Sequence, residues 1–242
     1  MPSKTAPQIS GPWDATGSGS VPELEPGIVH LWQRSLHAPP AEVAACYELL
    51  SGEEKERALR LRVDRPRSNF ILTRGTLRML LARYLNTAPV NVQFCYGVNG
   101  KPALADDSNL CFNVSHTHGL ALIALAEQRA IGTDVENIKR GSDVKRLAER
   151  FFSDSERRAL RRLSGAELQA AFVRCWTRKE AYIKAKGDGL ALPLDQFDVS
   201  IEAGDRDALL ATRPDAAEAA RWTILDVSVE PAYAAAVAVA EP

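Results

Sequence analysis

The sequence predicts an α+β fold of two similar, pseudo-twofold lobes, each a mainly antiparallel sheet packed on helices, and three observations carry this. Four short apolar or alternating segments follow one another between residues 92 and 136, separated by turn residues. Long helical stretches flank them, over 64–84 with apolar residues at helical spacing and over 165–186 with helix formers that no proline breaks. The order strand, helices, strands then recurs, the two halves meeting near Gln128, with no residue-level repeat to accompany it. The expected parts are a disordered tail over 1–27, an N-terminal lobe over 28–127 and a C-terminal lobe over 128–242.

Residues 1–27 are rich in Pro, Gly and Ser and lack apolar periodicity, which is why a tail is expected there. Ile28–Trp32 alternates as a first strand. A short helix follows Pro40 over 41–50, a Ser51-Gly52 break precedes a second helical set, and a long helix spans Asp64–Tyr84 with Phe70, Leu77, Leu80 and Leu81 at helical spacing. Strands are expected at Val92–Tyr96, Leu110–Ser115, Leu120–Ala126 and Ala130–Glu136. Two S-x-x-E capping boxes, Ser153 to Glu156 and Ser164 to Glu167, announce helices over 154–163 and 165–186, the second stopped by Gly187. Strands at Phe197–Ile201, Trp222–Val229 and Tyr233–Val239 close the chain.

The 242 residues are 45% apolar and 25% charged with a net charge of −1, which points to neither nucleic acid nor a membrane surface as partner. The distribution is uneven. Residues 51–86 hold nine lysines and arginines against four acids, a basic segment fit to receive a polyanion or merely to solvate a helix. Four scattered cysteines without C-x-x-C spacing read as reduced core thiols, and neither a leader nor an 18-residue apolar run is present, so a cytoplasmic protein is expected.

Several residues carry chemistry in principle. On the late helix, Glu180 shares a stripe with Val173, Trp176 and Ile183, and Lys184 follows one turn on. Placed on a buried face, this pair must meet a metal, an anion or each other, and an i,i+4 ion pair is the plain alternative. Asp134 and Glu136 stand two apart on a strand and project from one face, so with Glu180 they offer three oxygen ligands suited to Mg²⁺; a D-x-E alone is more often a solvated strand end. Ser115 and His116 end a strand on opposite faces, which rules against a Ser–His nucleophile pair and leaves phosphate binding or local backbone capping. Lys101 sits exposed in a Gly-Lys-Pro turn. Glu156 already has a capping role, and no P-loop, G-x-G-x-x-G, H-E-x-x-H or G-x-S-x-G occurs.

Taken in order, GKP at 100–102, FNVSH at 112–116, IGTDVE at 131–136, RFFS at 150–153 with Glu156, and WTRKEAYIK at 176–184 resemble the Sfp-type 4′-phosphopantetheinyl transferases, in the W-x-x-K-E-A form of the subgroup that serves nonribosomal peptide and polyketide synthases. The resemblance implies a monomer with coenzyme A between its lobes. It implies transfer of the phosphopantetheine arm to a serine of an acyl or peptidyl carrier protein, with release of adenosine 3′,5′-bisphosphate. It implies that Asp134, Glu136 and Glu180 hold Mg²⁺, that Lys184, Ser115 and His116, with Asn113 of the same block, face the phosphates, and that Lys101 lies beside the adenine. Arg65, then Arg57, are the expected contacts of the 3′-phosphate, although a family lysine falls on Glu54. Glu156, or a water held by Glu180, is the expected base. Lys139, Arg140 and Arg146 are expected to meet an acidic carrier helix. The rival readings are a metal-dependent phosphohydrolase and a non-catalytic basic module.

Overall fold

The computed structural model describes residues 8–16, 20–106, 108–139, 143–187, 189, 192–205 and 208–241. Residues 1–7 and 17–19 of the expected tail and Arg140 lie outside them. Among the described residues, two sheets and a long central helix position everything that follows.

The first sheet has the order β1 (Gln8–Asp14), β2 (Ile28–Ser35), β6 (Leu120–Glu127), β5 (Leu110–His116). Its strands β2, β6 and β5 run antiparallel, whereas β1 joins β2 in parallel. For Gln8–Asp14 this corrects the expectation of a disordered tail over 1–27. Gly11 and Pro12 break the alternation that would mark a strand in sequence, and the ladder shifts register between Ser10 and Trp13 at that point. Trp13 secures the edge from the far side, with ring centroids 5.0 Å from both His30 and Trp32. Helices α1 (Pro40–Glu48), α2 (Gly52–Arg60) and α3 (Asp64–Tyr84) belong to this half, and α3 sets Leu77, Leu80 and Leu81 against Phe112, Ile123 and Leu125. The Ser51-Gly52 break turns out to be a capping box, with Ser51 and Glu54 each bonding the other's backbone N–H. A hairpin of β3 (Phe94–Tyr96) and β4 (Pro102–Leu104) leads into β5. Cys95 on it is exposed, unlike the core thiol expected there; burial applies fully only to Cys175.

The second sheet has the order β10 (Trp222–Asp226), β11 (Tyr233–Ala240), β7 (Ile131–Asn137), all antiparallel. Helices α4 (Val144–Phe151), α5 (Asp154–Leu160) and α6 (Gly165–Lys186), and a small pair of β8 (Phe197–Val199) with β9 (Leu209–Thr212), complete this half. The strands β4 and β9 have too few residues to show a period in sequence, whereas α4 carries Val144, Leu147, Ala148 and Phe151 at helical spacing that the sequence reading passed over. Of the two expected capping boxes, Ser153 and Glu156 form theirs, but Ser164 makes no side-chain cap. Gly165, the first residue of α6, takes φ +55°, a left-handed entry open to glycine, and the serine is not held over the helix end.

Helix α6 is buried on nearly every side rather than on one stripe, as its Arg178 and Lys179, both fully buried, make plain. It lies directly against β7. A Cβ on Gly132 would stand 2.1 Å from the carbonyl oxygen of Ala181 and 2.3 Å from the nitrogen of Ala185, so backbone meets backbone there. Gly132→Ala is therefore expected to force helix and strand apart and to lower stability by about 2–4 kcal/mol, the upper end of single-site effects. A thermal melt within a degree of the unmodified protein would refute that close packing.

Strands β5 and β7 are edges of different sheets laid side by side. Side chains, not a backbone ladder, join them. Asn113 Oδ1 accepts the N–H of Thr133 at 2.9 Å, and Ser115 Oγ accepts that of Val135 at 3.4 Å, so β5 satisfies donors on the free edge of β7. Thr133, buried and polar, spends its hydroxyl on the carbonyl of Ala236. Alternation along β7 then sends Ile131 and Val135 into the apolar layer shared with β2 and β6, and turns Gly132, Asp134 and Glu136 toward α6.

Candidate functional site

The seam between β5 and β7 holds an ion pair formed by two of the expected residues. Asp134 is buried, and its Oδ1 accepts from Ser115 Oγ at 2.7 Å and from Lys184 Nζ at 2.6 Å. Lys184 Nζ also donates to Ser115 Oγ at 3.0 Å. Sheet edge, second sheet and central helix thus meet at one carboxylate. Lys184 keeps 29% of its side chain exposed, so the cluster is open on the lysine's side. The ammonium is paired with Asp134, so a tertiary contact from another element holds it whatever Glu180 one turn earlier does. Glu180 and Glu136 are both half-buried, and Glu136 Oε2 accepts the Thr117 hydroxyl at 3.1 Å.

Asp134, Glu136 and Glu180 do not stand as a ready metal cage. Among the described residues no three acidic, histidine or cysteine side chains are grouped as ligands of one ion. The physical reason is visible at Asp134, where a lysine already supplies the neutralising positive charge. The donor chemistry nevertheless fits a hard cation. Asp134 Oδ2 is buried and has no hydrogen-bond partner, an acceptor left over by the cluster.

Beside the seam, a cavity of about 190 Å³ is lined by Arg57, Phe70, Thr73, Arg74, Leu77, Pro102, Val114 and His116. His116, next in chain to Ser115, is exposed and faces this cavity, so adjacent residues serve opposite sides of the strand as expected. Arg57 lies over the Phe70 ring at 5.1 Å. A larger basic depression of about 590 Å³ adjoins it, with Arg57 and Arg74 lining both.

Arg74 is a residue that sequence reasoning did not single out as a ligand. Its guanidinium rests 4.8 Å from the centre of the Phe94 ring, and its Nη1 is buried without a partner. Burial pushes its pKa down, and Glu54 Oε1, 3.5 Å from Arg74 Nε, offsets this only in part. The signal for it was the pair Arg74 and Arg78 one turn apart, yet the two differ. Arg78 is committed to Glu54 Oε2 at 2.6 Å and to the carbonyls of Pro89 and Val92, both at 2.9 Å. Glu54, standing where a basic residue was looked for, is thus a buried bracket that holds Arg78 through Oε2 and, at 3.5 Å, faces Arg74 Nε through Oε1. Arg65 is exposed with its guanidinium against the His118 ring, and it is not among the residues lining the smaller cavity.

Two expected site residues lie elsewhere. Glu156 is 2% exposed and fully engaged: Oε1 accepts from Val199 N–H at 2.7 Å and Lys179 Nζ at 2.8 Å, and Oε2 from Ser153 N–H at 3.0 Å. Lys179 also donates to the carbonyls of Leu194 and Phe197. On α6, Lys179 and Lys184 are separated by about 140°, so Glu156 serves a different helix face from Asp134. A carboxylate buried among three donors has its oxygens engaged in holding the fold, which tells against the expectation of Glu156 as base. Lys101, expected exposed, is half-buried, and its Nζ donates to the carbonyls of Ile131 and Ala185, each at 3.0 Å.

Comparisons with known proteins agree with this architecture. Residues 130–238 match the profile of the 4′-phosphopantetheinyl transferase superfamily, and residues 34–128 match that of the 4′-phosphopantetheinyl transferase N-terminal region. The chain is 39% identical over 215 residues to the 4′-phosphopantetheinyl transferase HetI of Nostoc sp., covering 88% of this chain and 87% of HetI. It is 30% identical over 193 residues to the 4′-phosphopantetheinyl transferase Sfp of Bacillus subtilis, covering 80% of this chain and 83% of Sfp. To the 4′-phosphopantetheinyl transferase AcpT of Salmonella typhimurium it is 36% identical over 110 residues, covering 46% of this chain and 56% of AcpT. With both halves matched and a relative aligned over most of its length, the chain belongs to the 4′-phosphopantetheinyl transferase superfamily and is a transferase of that type.

Proposed function

We propose that the protein transfers the 4′-phosphopantetheine group of coenzyme A to a serine of an acyl or peptidyl carrier protein, releasing adenosine 3′,5′-bisphosphate. The observation that carries this is the Asp134–Lys184–Ser115 cluster set beside a cationic cavity, in a chain of this family. Residues 28–127 supply the adenine and 3′-phosphate side of the cleft, and residues 128–242 the acidic side. The W-x-x-K-E-A motif at 176–181 supports carriers of nonribosomal peptide or polyketide synthases. No described helix is long and apolar enough to cross a membrane. A cytoplasmic monomer acting on diffusing carriers suits this reading.

In the reaction a bond forms between the carrier serine oxygen and the β-phosphorus, and the bond from that phosphorus to the oxygen of the adenosine bisphosphate breaks. The transition state spreads negative charge over the transferring group and leaving phosphate, so positioned positive charge matters most. Lys184, already at the seam and partly open to it, meets the diphosphate. His116 meets it from the cavity side. Arg57 and Arg74 hold the 3′-phosphate, Arg74 through its unpartnered Nη1. Asp134, Glu136 and Glu180 are the residues to hold Mg²⁺, which when bound neutralises the diphosphate. A water held by Glu180 receives the serine proton, since Glu156 is engaged in the fold. Of the basic side chains proposed for an acidic carrier helix, Lys139 and Arg146 are exposed.

The deciding experiment incubates the protein with coenzyme A, Mg²⁺ and an apo carrier protein and weighs the carrier. A gain of one phosphopantetheine mass on the carrier serine is expected. Release of phosphate products from coenzyme A without a carrier would mark a phosphohydrolase, and binding without turnover a non-catalytic module. Within that assay, Arg74→Met is expected to raise the coenzyme A KM about tenfold with kcat nearly unchanged, because a charged contact to a distant phosphate is made equally in ground and transition states. An unaltered KM would remove Arg74 from the site.

A further inference from the structure

The turn that joins β3 to β4 reaches across to the C-terminal end of α6. Lys101 Nζ donates to Ala185 O and to Ile131 O, and Asn99 Nδ2 donates to Gly187 O at 2.9 Å. A helix end leaves its last carbonyls without intrahelical donors and carries partial negative charge, so a cation there is doubly favourable. Gly187 N–H caps Ile183, and Lys101 caps Ala185.

Two chain positions make this more than a cap. Ala185 directly follows Lys184, and Ile131 stands three residues before Asp134. One ammonium therefore bonds the backbones of both segments that carry the ion pair at the seam. Between them, at Gly132, helix and strand touch backbone to backbone, and such a contact has no interlocking side chain to resist sliding. Two of the three ammonium donors are spent on these carbonyls, and burial lowers the lysine's pKa.

We infer that Lys101 is a positioning residue: from the first half of the chain it ties the last turn of α6 to the start of β7, and so sets Lys184 relative to Asp134. The inference rests on the proposed transfer reaction for its kinetic consequence, but the tie itself is independent of it.

The test compares the full-length protein with Lys101→Met, Lys101→Arg and Asn99→Ala, using coenzyme A, Mg²⁺ and an apo carrier, together with amide hydrogen exchange of the ligand-free proteins. Lys101→Met is expected to lower kcat about tenfold to a hundredfold, as misplacement of a catalytic group does, with the coenzyme A KM shifted by less than about twofold. Amides in the last turn of α6 are expected to exchange faster before any ligand is added. Lys101→Arg, which can still donate to two carbonyls, is expected to recover part of the kcat. A raised KM with kcat preserved would overturn the inference and make the lysine a contact of coenzyme A. Unchanged kcat and exchange would also overturn it. Should Lys101→Met not fold, Asn99→Ala is expected to show the same two effects in milder form, and no change in either would refute the tie. Failure of the unmodified protein to modify the carrier would strike the proposed function alone, since exchange still reports on the tie.

Discussion

Asp134→Asn is expected to lower kcat about 10²- to 10³-fold, some 2.7–4 kcal/mol of transition-state stabilisation, while leaving the fold close to intact. Asparagine keeps the shape and an acceptor for Ser115 and Lys184, so the seam between β5 and β7 still closes. What it loses is charge. Lys184 is left without the charge of Asp134 beside it, and the unpartnered Oδ2, a buried acceptor suited to a hard cation, becomes an N–H₂ donor. Steady-state rates at saturating coenzyme A and carrier, with a thermal melt alongside, separate chemistry from stability. A variant within about fivefold of the normal rate would mean that the carboxylate is only a structural bracket for Lys184.

Glu156→Gln is expected to do the reverse, costing the fold much and the chemistry little. The pair it breaks is 2% exposed on the glutamate and 0% on Lys179. Removing one partner of such a pair leaves an uncompensated buried ion, at about 3–5 kcal/mol. For a chain of this size that corresponds to a fall of roughly 6–20 °C in Tm. The new amide N–H₂ would also confront either the Ser153 N–H or the Lys179 ammonium, a donor against a donor. The protein that remains folded is expected to turn over at near-normal kcat. A stable variant with kcat reduced a hundredfold would restore Glu156 to the chemistry.

The WTRKEAYIK block illustrates how far the sequence could be read. Its order and spacing with the other blocks pointed to the family, and the family was right. Within the block, however, neighbouring letters do unlike work. Trp176 lies against the rings of Phe151, Phe152 and Phe172, Arg178 grips Asp226 with two nitrogens at 2.9 and 2.8 Å, and Lys179 is locked to Glu156. Only Lys184 among its cations is placed at the seam. Because α6 is buried nearly all round, each 100° step points at a different neighbour, and a helical stripe drawn from sequence cannot say which. Lys101 went astray for a related reason. A Gly-Lys-Pro turn is exposed by default, and its burial here depends on a helix end some eighty residues away in sequence.

By itself the sequence determined the type and order of the longer elements, because period 2, period 3.6, serine caps and glycine stops are signals between residues adjacent in chain. That was enough for the α+β class, for α3 and α6 at their observed ends, and for the list of residues to watch. The tertiary structure alone decided that β1 exists, that Asp134 meets Lys184, that Glu156 is enclosed, and that Arg74 rather than Arg78 has a donor to spare. Those outcomes turn on which polar groups find partners once water is excluded, and the partners come from segments far apart along the chain.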